Sequence, residues 1–237
     1  MGGQYIEAML WPRLSSQCEV CRRWGPARFC QPCIERFASP GPRCPRCALR
    51  VPAAAALCGS CLRLAPPFEH TVCVADYVFP WDRLIVAMKF HEQAELSAPL
   101  SAQLAAAVRA DGAPLPDLVL PVPLARQRLA ERGYNQAWEL ARRVAAALGL
   151  PAHAKVLLRP VETAQHQAEL SREQRLSNLR GAFAVDDRRR KLLTGRRVSL
   201  VDDVLTTGAT AQEATLALLR AGACAVDLWV LARTPQH

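Results

Sequence analysis

The fold is decided by the stretch Val198-Ser-Leu-Val-Asp202-Asp203-Val-Leu-Thr206-Thr207-Gly208-Ala-Thr210. Its short apolar run, residues 198–201, predicts a buried strand that ends in two adjacent carboxylates. Small and hydroxyl-bearing residues follow. A helix is then predicted over residues 209–221, and Gly222 ends it. Ligands of α/β sheets bind where loops leave the carboxyl ends of strands, so this loop is the predicted ligand site.

The loop after the acidic pair has the chemistry of a phosphate site. Gly208 lets the backbone turn sharply or approach a ligand closely. The amides of residues 206–210 and the N-terminus of the predicted helix form a concave set of donors that suits a phosphate. Asp202 and Asp203 repel one another, and two carboxylates at a strand end usually meet hydroxyl groups or a metal.

Two other interpretations of the stretch compete with a sugar-phosphate site. An apolar strand that ends in two aspartates resembles the Walker B element of an ATPase, which needs a Gly-Lys phosphate loop. No Gly-Lys dipeptide occurs in the chain, so the ATPase class is excluded. The other alternative is an ordinary strand–turn–helix connection with solvated acids. Separately, Thr210 and Glu213 fit a plain capping box.

The sequence around this stretch alternates between strands and helices. Strands are predicted at residues 71–78, 117–120 and 226–231, and helices at 99–110 and 136–148. This alternation predicts an α/β fold, a mostly parallel sheet flanked by helices, over residues 68–237.

The N-terminal part of the chain is dominated by cysteines. Eight of the ten cysteines form four C-x-x-C pairs: Cys18 and Cys21, Cys30 and Cys33, Cys44 and Cys47, Cys58 and Cys61. Two such turns complete a four-thiolate zinc shell, so the pattern predicts two structural Zn²⁺ sites in preference to redox motifs or a disulfide framework. Pairing in sequence order is preferred, although a crossed arrangement has the same spacing. We predict a double zinc ribbon over residues 18–64, after an N-terminal extension at 1–17.

The two remaining cysteines stand alone in the sequence. Cys73 and Cys224 both lie in apolar surroundings, and each is predicted to be a buried small hydrophobic residue.

Composition narrows the cellular setting. The chain is 51% hydrophobic and 22% charged, which is typical of a globular protein. No apolar stretch is long enough to span a membrane, and the N-terminus lacks the pattern of a secretory signal, so we expect a cytoplasmic protein. The net charge of +9, carried almost entirely by arginine, indicates attraction to polyanions or an arginine-rich proteome.

The acidic stretch is similar to the phosphoribosyl pyrophosphate (PRPP) signature of type I phosphoribosyltransferases. The whole chain resembles the ComF family of competence-associated proteins, whose members place a cysteine-rich ribbon before such a domain. The further matching motifs are Met88-Lys89-Phe90, Pro121-Val-Pro-Leu124, Arg132-Gly-Tyr-Asn-Gln136, Arg175-x-x-Asn178 and Gly181-Ala-Phe183.

The resemblance implies a role for each part of the site. Asp202 and Asp203 would bind the 2′ and 3′ hydroxyls of the ribose, and Mg²⁺ would accompany PRPP. The residues implied to bind the 5′-phosphate are Thr206, Thr207, Gly208, Ala209 and Thr210. The implied pyrophosphate contacts are Arg126, Arg128 and Arg132.

The resemblance leaves the catalytic residues unassigned. An active member would catalyse pentosyl transfer, but the segment that resembles the mobile catalytic loop departs from the family pattern. Thr163 lies one residue too far upstream, which leaves Thr163, Gln165 and Gln167 without a defined role.

Two functions follow as hypotheses. The first is a PRPP-binding, phosphoribosyltransferase-like protein that acts in DNA uptake and natural transformation on the cytosolic side. Its implied partners are PRPP or a related sugar phosphate, single-stranded DNA, and DNA-uptake helicase or translocation proteins. The second is a zinc-ribbon module for single-stranded DNA whose sugar-phosphate site is non-catalytic, a sensor or a vestige.

Overall fold

The computed structural model describes residues 15–38, 41–52, 57–90, 93–160 and 181–236. The predicted roles of Thr163, Gln165, Gln167, Arg175 and Asn178 fall outside these residues. The described strands are β1 (Ser16–Gln17), β2 (Trp24–Gly25), β3 (Thr71–Asp76), β4 (Leu118–Pro121), β5 (Leu157–Leu158), β6 (Ala184–Val185), β7 (Arg197–Leu205) and β8 (Ala225–Arg233). The described α-helices are α1 (Gln31–Phe37), α2 (Gly59–Arg63), α3 (Trp81–Phe90), α4 (Ser97–Asp111), α5 (Arg126–Arg132), α6 (Gln136–Leu148) and α7 (Ala209–Arg220).

A four-stranded parallel sheet organises the C-terminal part, in the order β3-β8-β7-β4. Both faces of the sheet are covered, and all nine residues of the central strand β8 are buried. Leu200 and Leu228 share one hydrophobic cluster with α7, whereas Val201 and Trp229 face the cluster of α3, α4 and α6. The predicted parallel α/β sheet is therefore confirmed.

Helix ends follow local sequence signals. Helix α6 begins after Asn135, whose side-chain oxygen accepts a hydrogen bond from the Ala137 amide at 2.9 Å. It ends at Gly149, whose φ of 70° suits the left-handed conformation of a helix C-terminus. The predicted range 136–148 agrees with the structure because these signals act within one helical turn.

Strand β7 is longer than predicted. The apolar pattern placed the strand end at Val201, before the acidic pair, but β7 continues to Leu205. The predicted strand end is wrong because the extension depends on strand pairing, which the apolar pattern does not contain. β8 stays in register with β7 up to the pair Leu205–Arg233. Asp202 and Asp203 are therefore strand residues.

The capping-box alternative and the expectation for the two lone cysteines are also corrected. Helix α7 has Gly208 at its N-cap, so Thr210 lies inside the first turn and does not form a capping box with Glu213. Cys224 is exposed just before β8, and Cys73 packs against the core but is only half-buried, because β3 is an edge strand.

The cysteine-rich region has little regular structure beyond β1, β2, α1 and α2. Its second half packs on the sheet: Leu49 and Val51 share a hydrophobic cluster with Phe68 and Leu228. The Thr71 amide donates to the Pro45 carbonyl at 2.9 Å, which joins the start of β3 to this half. Among the helices of the described ranges, none has the length and apolar character needed to cross a membrane.

Candidate sugar-phosphate site and metal centres

The acidic pair lies where the sheet opens. The register of β4 with β7 ends at the pair Pro121–Val201, whereas β7 remains paired with β8 to Leu205. Residues 202–205 therefore extend beyond β4 at the carboxyl end of the sheet. This is the edge at which parallel α/β sheets bind ligands.

The two carboxylates face opposite sides of the sheet. Successive strand residues point to opposite faces, and Asp202 follows the register of Leu200 toward α7. Asp203 follows Val201 toward α3 and α6. The expectation that both acids bind the ribose hydroxyls treated the two residues alike, but the structure gives them different surroundings.

Asp203 is buried and has two partners. Its Oδ1 lies 2.6 Å from Nζ of Lys89, and its Oδ2 accepts a hydrogen bond from Nε2 of Gln136 at 2.7 Å. Arg132 in turn donates to Oε1 of Gln136, and its guanidinium lies 4.7 Å from the centre of the exposed Phe90 ring. These contacts form a chain of polar groups from the sheet interior to the surface.

Asp202 lines a small cavity of about 50 Å³ together with Thr206, Gly208 and Thr210. Burial raises the pKa of Asp202 to about 7, and the adjacent Asp203 charge acts in the same direction. Near neutral pH this carboxyl is therefore divided between its two forms. It can accept a hydrogen bond from a ligand hydroxyl when ionised and donate one to it when protonated.

Residues 206–210, here called the threonine loop, join β7 to α7. Gly208 has a φ of +83°, a left-handed conformation that suits glycine and strains other residues. Its carbonyl accepts from the Gln212 amide at 2.8 Å, which starts the helix. Thr206 is exposed, and Oγ1 of Thr207 accepts from the Ala209 amide at 3.4 Å. The loop thus places hydroxyls and the helix N-terminus beside Asp202.

Arginines approach the same region from two elements. Arg128 and Arg132 lie on α5, and Arg159 follows β5; the like charge of Arg128 acts on both of the others. Burial lowers the pKa of Arg132 and of Arg159, while Asp202 opposes the change. Arg126 is exposed in the first turn of α5. Of the three predicted arginines, the structure therefore brings Arg132 near the acidic pair, with Arg128 beside it, and it adds Arg159.

Sequence reasoning missed three residues of this region. Lys89 and Gln136 appeared within matching motifs, but nothing in the sequence indicated that they contact Asp203. Arg159 lies outside all of the matching motifs. Each of the three residues comes from a different part of the chain, so motif position could have signalled a role for Lys89 and Gln136, and no sequence signal pointed to Arg159.

The cysteines form two groups in the described residues, each with all four sulfur atoms within 4.8 Å of one another. The groups follow sequence order: Cys18, Cys21, Cys30 and Cys33 form tetrad 1, and Cys44, Cys47, Cys58 and Cys61 form tetrad 2. The crossed arrangement is not adopted. Both tetrads can hold a metal ion.

The sulfur spacing fits a tetrahedral shell. Sγ of Cys21 lies 3.6 Å from Sγ of Cys30, and Sγ of Cys47 lies 3.5 Å from Sγ of Cys58. Four sulfurs at the usual zinc–sulfur distance of about 2.3 Å are about 3.8 Å apart. The donor set, four thiols and no oxygen, also suits a soft structural metal.

Comparison with known proteins agrees with this architecture. Residues 129–237 match the family described as phosphoribosyl transferase domain. The DNA utilization protein YhgH of Escherichia coli is 36% identical over 227 residues, which cover 92% of this chain and 96% of that protein. Competence protein F of Haemophilus influenzae is 34% identical over 208 residues, which cover 86% of this chain and 88% of that protein.

The solved structures similar to this chain include adenine phosphoribosyltransferase from Leishmania donovani. It is 19% identical, covers 69% of this chain and 70% of its own, and has a TM-score of 0.38. The assignment rests instead on the relatives of similar length and on the match to the transferase domain. The chain therefore belongs to the ComF family, with a type I phosphoribosyltransferase-like sheet behind an N-terminal region of two cysteine tetrads.

Proposed function

We propose that the site at the end of β7 binds PRPP or a related sugar phosphate. The observation that carries the proposal is the shared cavity of Asp202 and the threonine loop, because a ribose 5-phosphate needs a hydroxyl partner beside a phosphate cradle. The amides and hydroxyls of residues 206–210 would hold the 5′-phosphate. Asp202 would bind the ribose hydroxyls. Asp203, which Lys89 and Gln136 hold in place, would bind them together with Asp202.

The diphosphate would lie toward the arginines. Arg128, Arg132 and Arg159 present planar donors that match phosphate oxygens. Mg²⁺ bound with the diphosphate would neutralise part of its charge. In a transfer reaction the arginines would stabilise the charge of the departing diphosphate, while the carboxylates would tolerate the cationic ribose. No residue is assigned as a general base.

Titration calorimetry with PRPP and Mg²⁺ tests the sugar-phosphate proposal. We expect Asp202→Ala to weaken binding by at least about 10-fold, since a charged hydrogen-bond partner is removed. Glu139→Gln is the matched control, because this acid pairs with Arg142 on the outer side of α6. Absent binding by the wild-type protein, or equal binding by Asp202→Ala, would overturn the proposal.

We further propose that both tetrads hold structural Zn²⁺. The sulfur spacing and the all-thiol donor set support this, and so does the scarcity of regular structure in the region, because metal binding there would supply folding free energy. Elemental analysis should find about two zinc ions per chain, to match the two tetrads. A protein that is folded and free of zinc would contradict it.

The names of the relatives support a role in DNA uptake and natural transformation on the cytosolic side. In that role DNA-uptake helicase or translocation proteins would be the partners. The second candidate function, binding of single-stranded DNA by the cysteine-rich region, is supported by an aromatic surface that this region forms together with Phe79 and Arg83. Trp24 is 68% exposed, and the rings of Phe37 and Phe79 pack edge to face with Arg36 and Arg83 over them. Exposed rings and arginines are the groups on which bases stack.

Oligonucleotide binding at several salt concentrations tests this second candidate. We expect affinity to fall steeply as salt rises, and Trp24→Ala or Phe79→Ala to weaken binding by about 1–3 kcal/mol each. Leu158→Ala, another exposed apolar residue, is the control. Binding that ignores salt and both aromatic substitutions would exclude this surface.

A further inference from the structure

Arg233 connects tetrad 2 to the threonine loop. It is the last residue of β8 and is only 3% exposed. Its Nε donates to the Cys47 carbonyl at 2.8 Å, and one terminal nitrogen donates to the carbonyls of Leu205, at 2.8 Å, and of Thr206. One planar group therefore holds a metal-ligand residue on one side and the start of the loop on the other.

The charge of this guanidinium needs a balancing group. Across the described ranges, the ion pairs with carboxylates involve other arginines, Lys89 and His70, and Arg233 takes part in none. An unpaired buried cation is costly. Four thiolates around one divalent ion carry a formal charge of about −2, so a loaded tetrad 2 supplies negative charge beside Arg233.

Packing joins the same two features. Cys47 and Cys61 share a hydrophobic cluster with Leu205 and Ala209. A second small cavity of about 40 Å³ is lined by Cys61, Arg233 and Gly208. The loop and tetrad 2 are thus neighbours through both polar and apolar contacts.

Tetrad 1 has a different neighbour. Its helix α1 contacts the sheet domain through the Phe37 carbonyl, which accepts from Nε1 of Trp81 at 2.7 Å. Trp81 begins α3, at the opposite end from Lys89. The two tetrads therefore provide a matched comparison within one chain.

We propose that tetrad 2, acting through Arg233, holds the threonine loop in its anion-binding conformation, so that metal occupancy at tetrad 2 controls the ligand site. This proposal rests on the proposed sugar-phosphate function. When metal leaves, Cys47 is no longer held by the ion, so its carbonyl no longer fixes Arg233, and the carbonyls of Leu205 and Thr206 lose a fixed donor. Tetrad 1 has no such connection in the part of the chain that the structure describes.

Hydrogen–deuterium exchange of the ligand-free protein tests the coupling directly. The variant Cys44→Ser/Cys58→Ser should lose one metal equivalent and exchange amides of residues 205–212 at least about 10-fold faster. The control Cys21→Ser/Cys30→Ser should lose one metal equivalent and leave those amides unchanged. Equal effects of the two variants, or protected loop amides in the first variant, would overturn the proposal.

Arg233→Lys separates the connection from the metal itself and avoids a variant that fails to fold. Lysine keeps the charge, but as a compact point charge it cannot span the Cys47 carbonyl and the carbonyls of Leu205 and Thr206 as the guanidinium does. We expect full metal content, faster exchange in the loop, and PRPP binding with Mg²⁺ weakened by about 10-fold. Wild-type exchange and affinity in this variant would refute the role of Arg233. If the wild-type protein binds no PRPP, the proposed function fails, while the exchange data still decide the coupling.

Discussion

Asp202 and Asp203 show how much one position along a strand changes the environment of a carboxylate. Asp203 is 4% exposed and is held by Lys89 and Gln136, whereas Asp202 lines a cavity with the threonine loop. The alternation of side chains along β7 separates them, and this alternation lowers the cost of two adjacent negative charges. Asp203 is therefore bound by neighbouring side chains, whereas Asp202 faces the cavity.

Removal of Lys89 should reveal the cost of burying the Asp203 carboxylate. Lys89→Met leaves Asp203 buried without its cation, so we expect the free energy of unfolding to fall by about 3 kcal/mol. Urea denaturation measures this change. The double variant Lys89→Met/Asp203→Asn removes both charges and should recover most of the loss; a double variant as unstable as the single one would show that Lys89 acts through packing.

The raised pKa of Asp202 predicts that replacing this residue stabilises the fold, by an amount that depends on pH. Its pKa of about 7 in the folded state exceeds the ordinary value of 3.8, so ionisation of Asp202 opposes folding. This penalty is absent at pH values below the ordinary pKa, grows as pH rises toward the folded-state pKa, and is complete above it.

Asp202→Asn should therefore stabilise the protein by about 1–2 kcal/mol near pH 8.5, with a smaller gain near pH 5. Thermal unfolding at both pH values measures the difference. An equal effect at the two pH values would argue that Asp202 titrates normally.

At the scale of elements, the connection from β7 to α7 depends on one glycine. Gly208 has a φ of +83°, yet a Cβ added there would meet its nearest neighbours only at 3.8 Å. The requirement for glycine therefore comes from backbone conformation and not from lack of space. Gly208 is the N-cap of α7 and also lines the cavity of Asp202. A change at this position is therefore expected to affect both helix stability and ligand binding.

Gly208→Ala should weaken both properties. We expect a loss of about 1–2 kcal/mol of stability from the left-handed backbone, and weaker PRPP binding because the loop relaxes away from its conformation. Gly149→Ala is the matched control, since Gly149 has a φ of +70° with open space around it and lies at the end of α6. Both variants should lose similar stability, and only the first should lose affinity; equal affinities would contradict the assignment of the loop.

At the scale of the whole molecule, the cysteine-rich region is joined to the sheet by ion pairs as well as by Arg233. Asp76 at the end of β3 accepts from Arg43 at 2.7 Å and from Arg50 at 2.8 Å. Burial opposes ionisation of Asp76, but hydrogen bonds from Arg50 and Arg43 hold its pKa below the ordinary value. This junction is therefore strongest when the carboxylate is charged.

Asp76→Asn should loosen the junction by about 1–2 kcal/mol at neutral pH. The contribution of a lowered pKa is complete above the ordinary pKa of aspartate and disappears as pH falls through the folded-state value. The variant and the wild-type protein should therefore converge in stability in acid. Arg50→Met is the comparison variant. Because Arg50 is more exposed than Arg43, its loss should lower the free energy of unfolding by less than Asp76→Asn does. A constant difference across pH would exclude the ion pairs as its cause.

The sequence by itself determined the parallel α/β fold, the bounds of α6 and the grouping of cysteines into pairs. Periodicity, caps and C-x-x-C spacing act over a few residues, so they can be recognised along the chain. The division into an extension, a ribbon and a transferase-like domain stays a prediction, as do the ligand roles of residues 202–210.

Only the tertiary structure decided which groups meet. Asp203 contacts Gln136 from 67 residues away, and Arg233 contacts Cys47 from 186 residues away. The extension of β7 to Leu205 likewise required β8 as its partner. Such contacts arise where strands and helices pack, and burial then gives them their energetic weight. The residues next to Asp202 and Asp203 in the sequence do not indicate that a lysine binds one carboxylate and that the other faces the cavity.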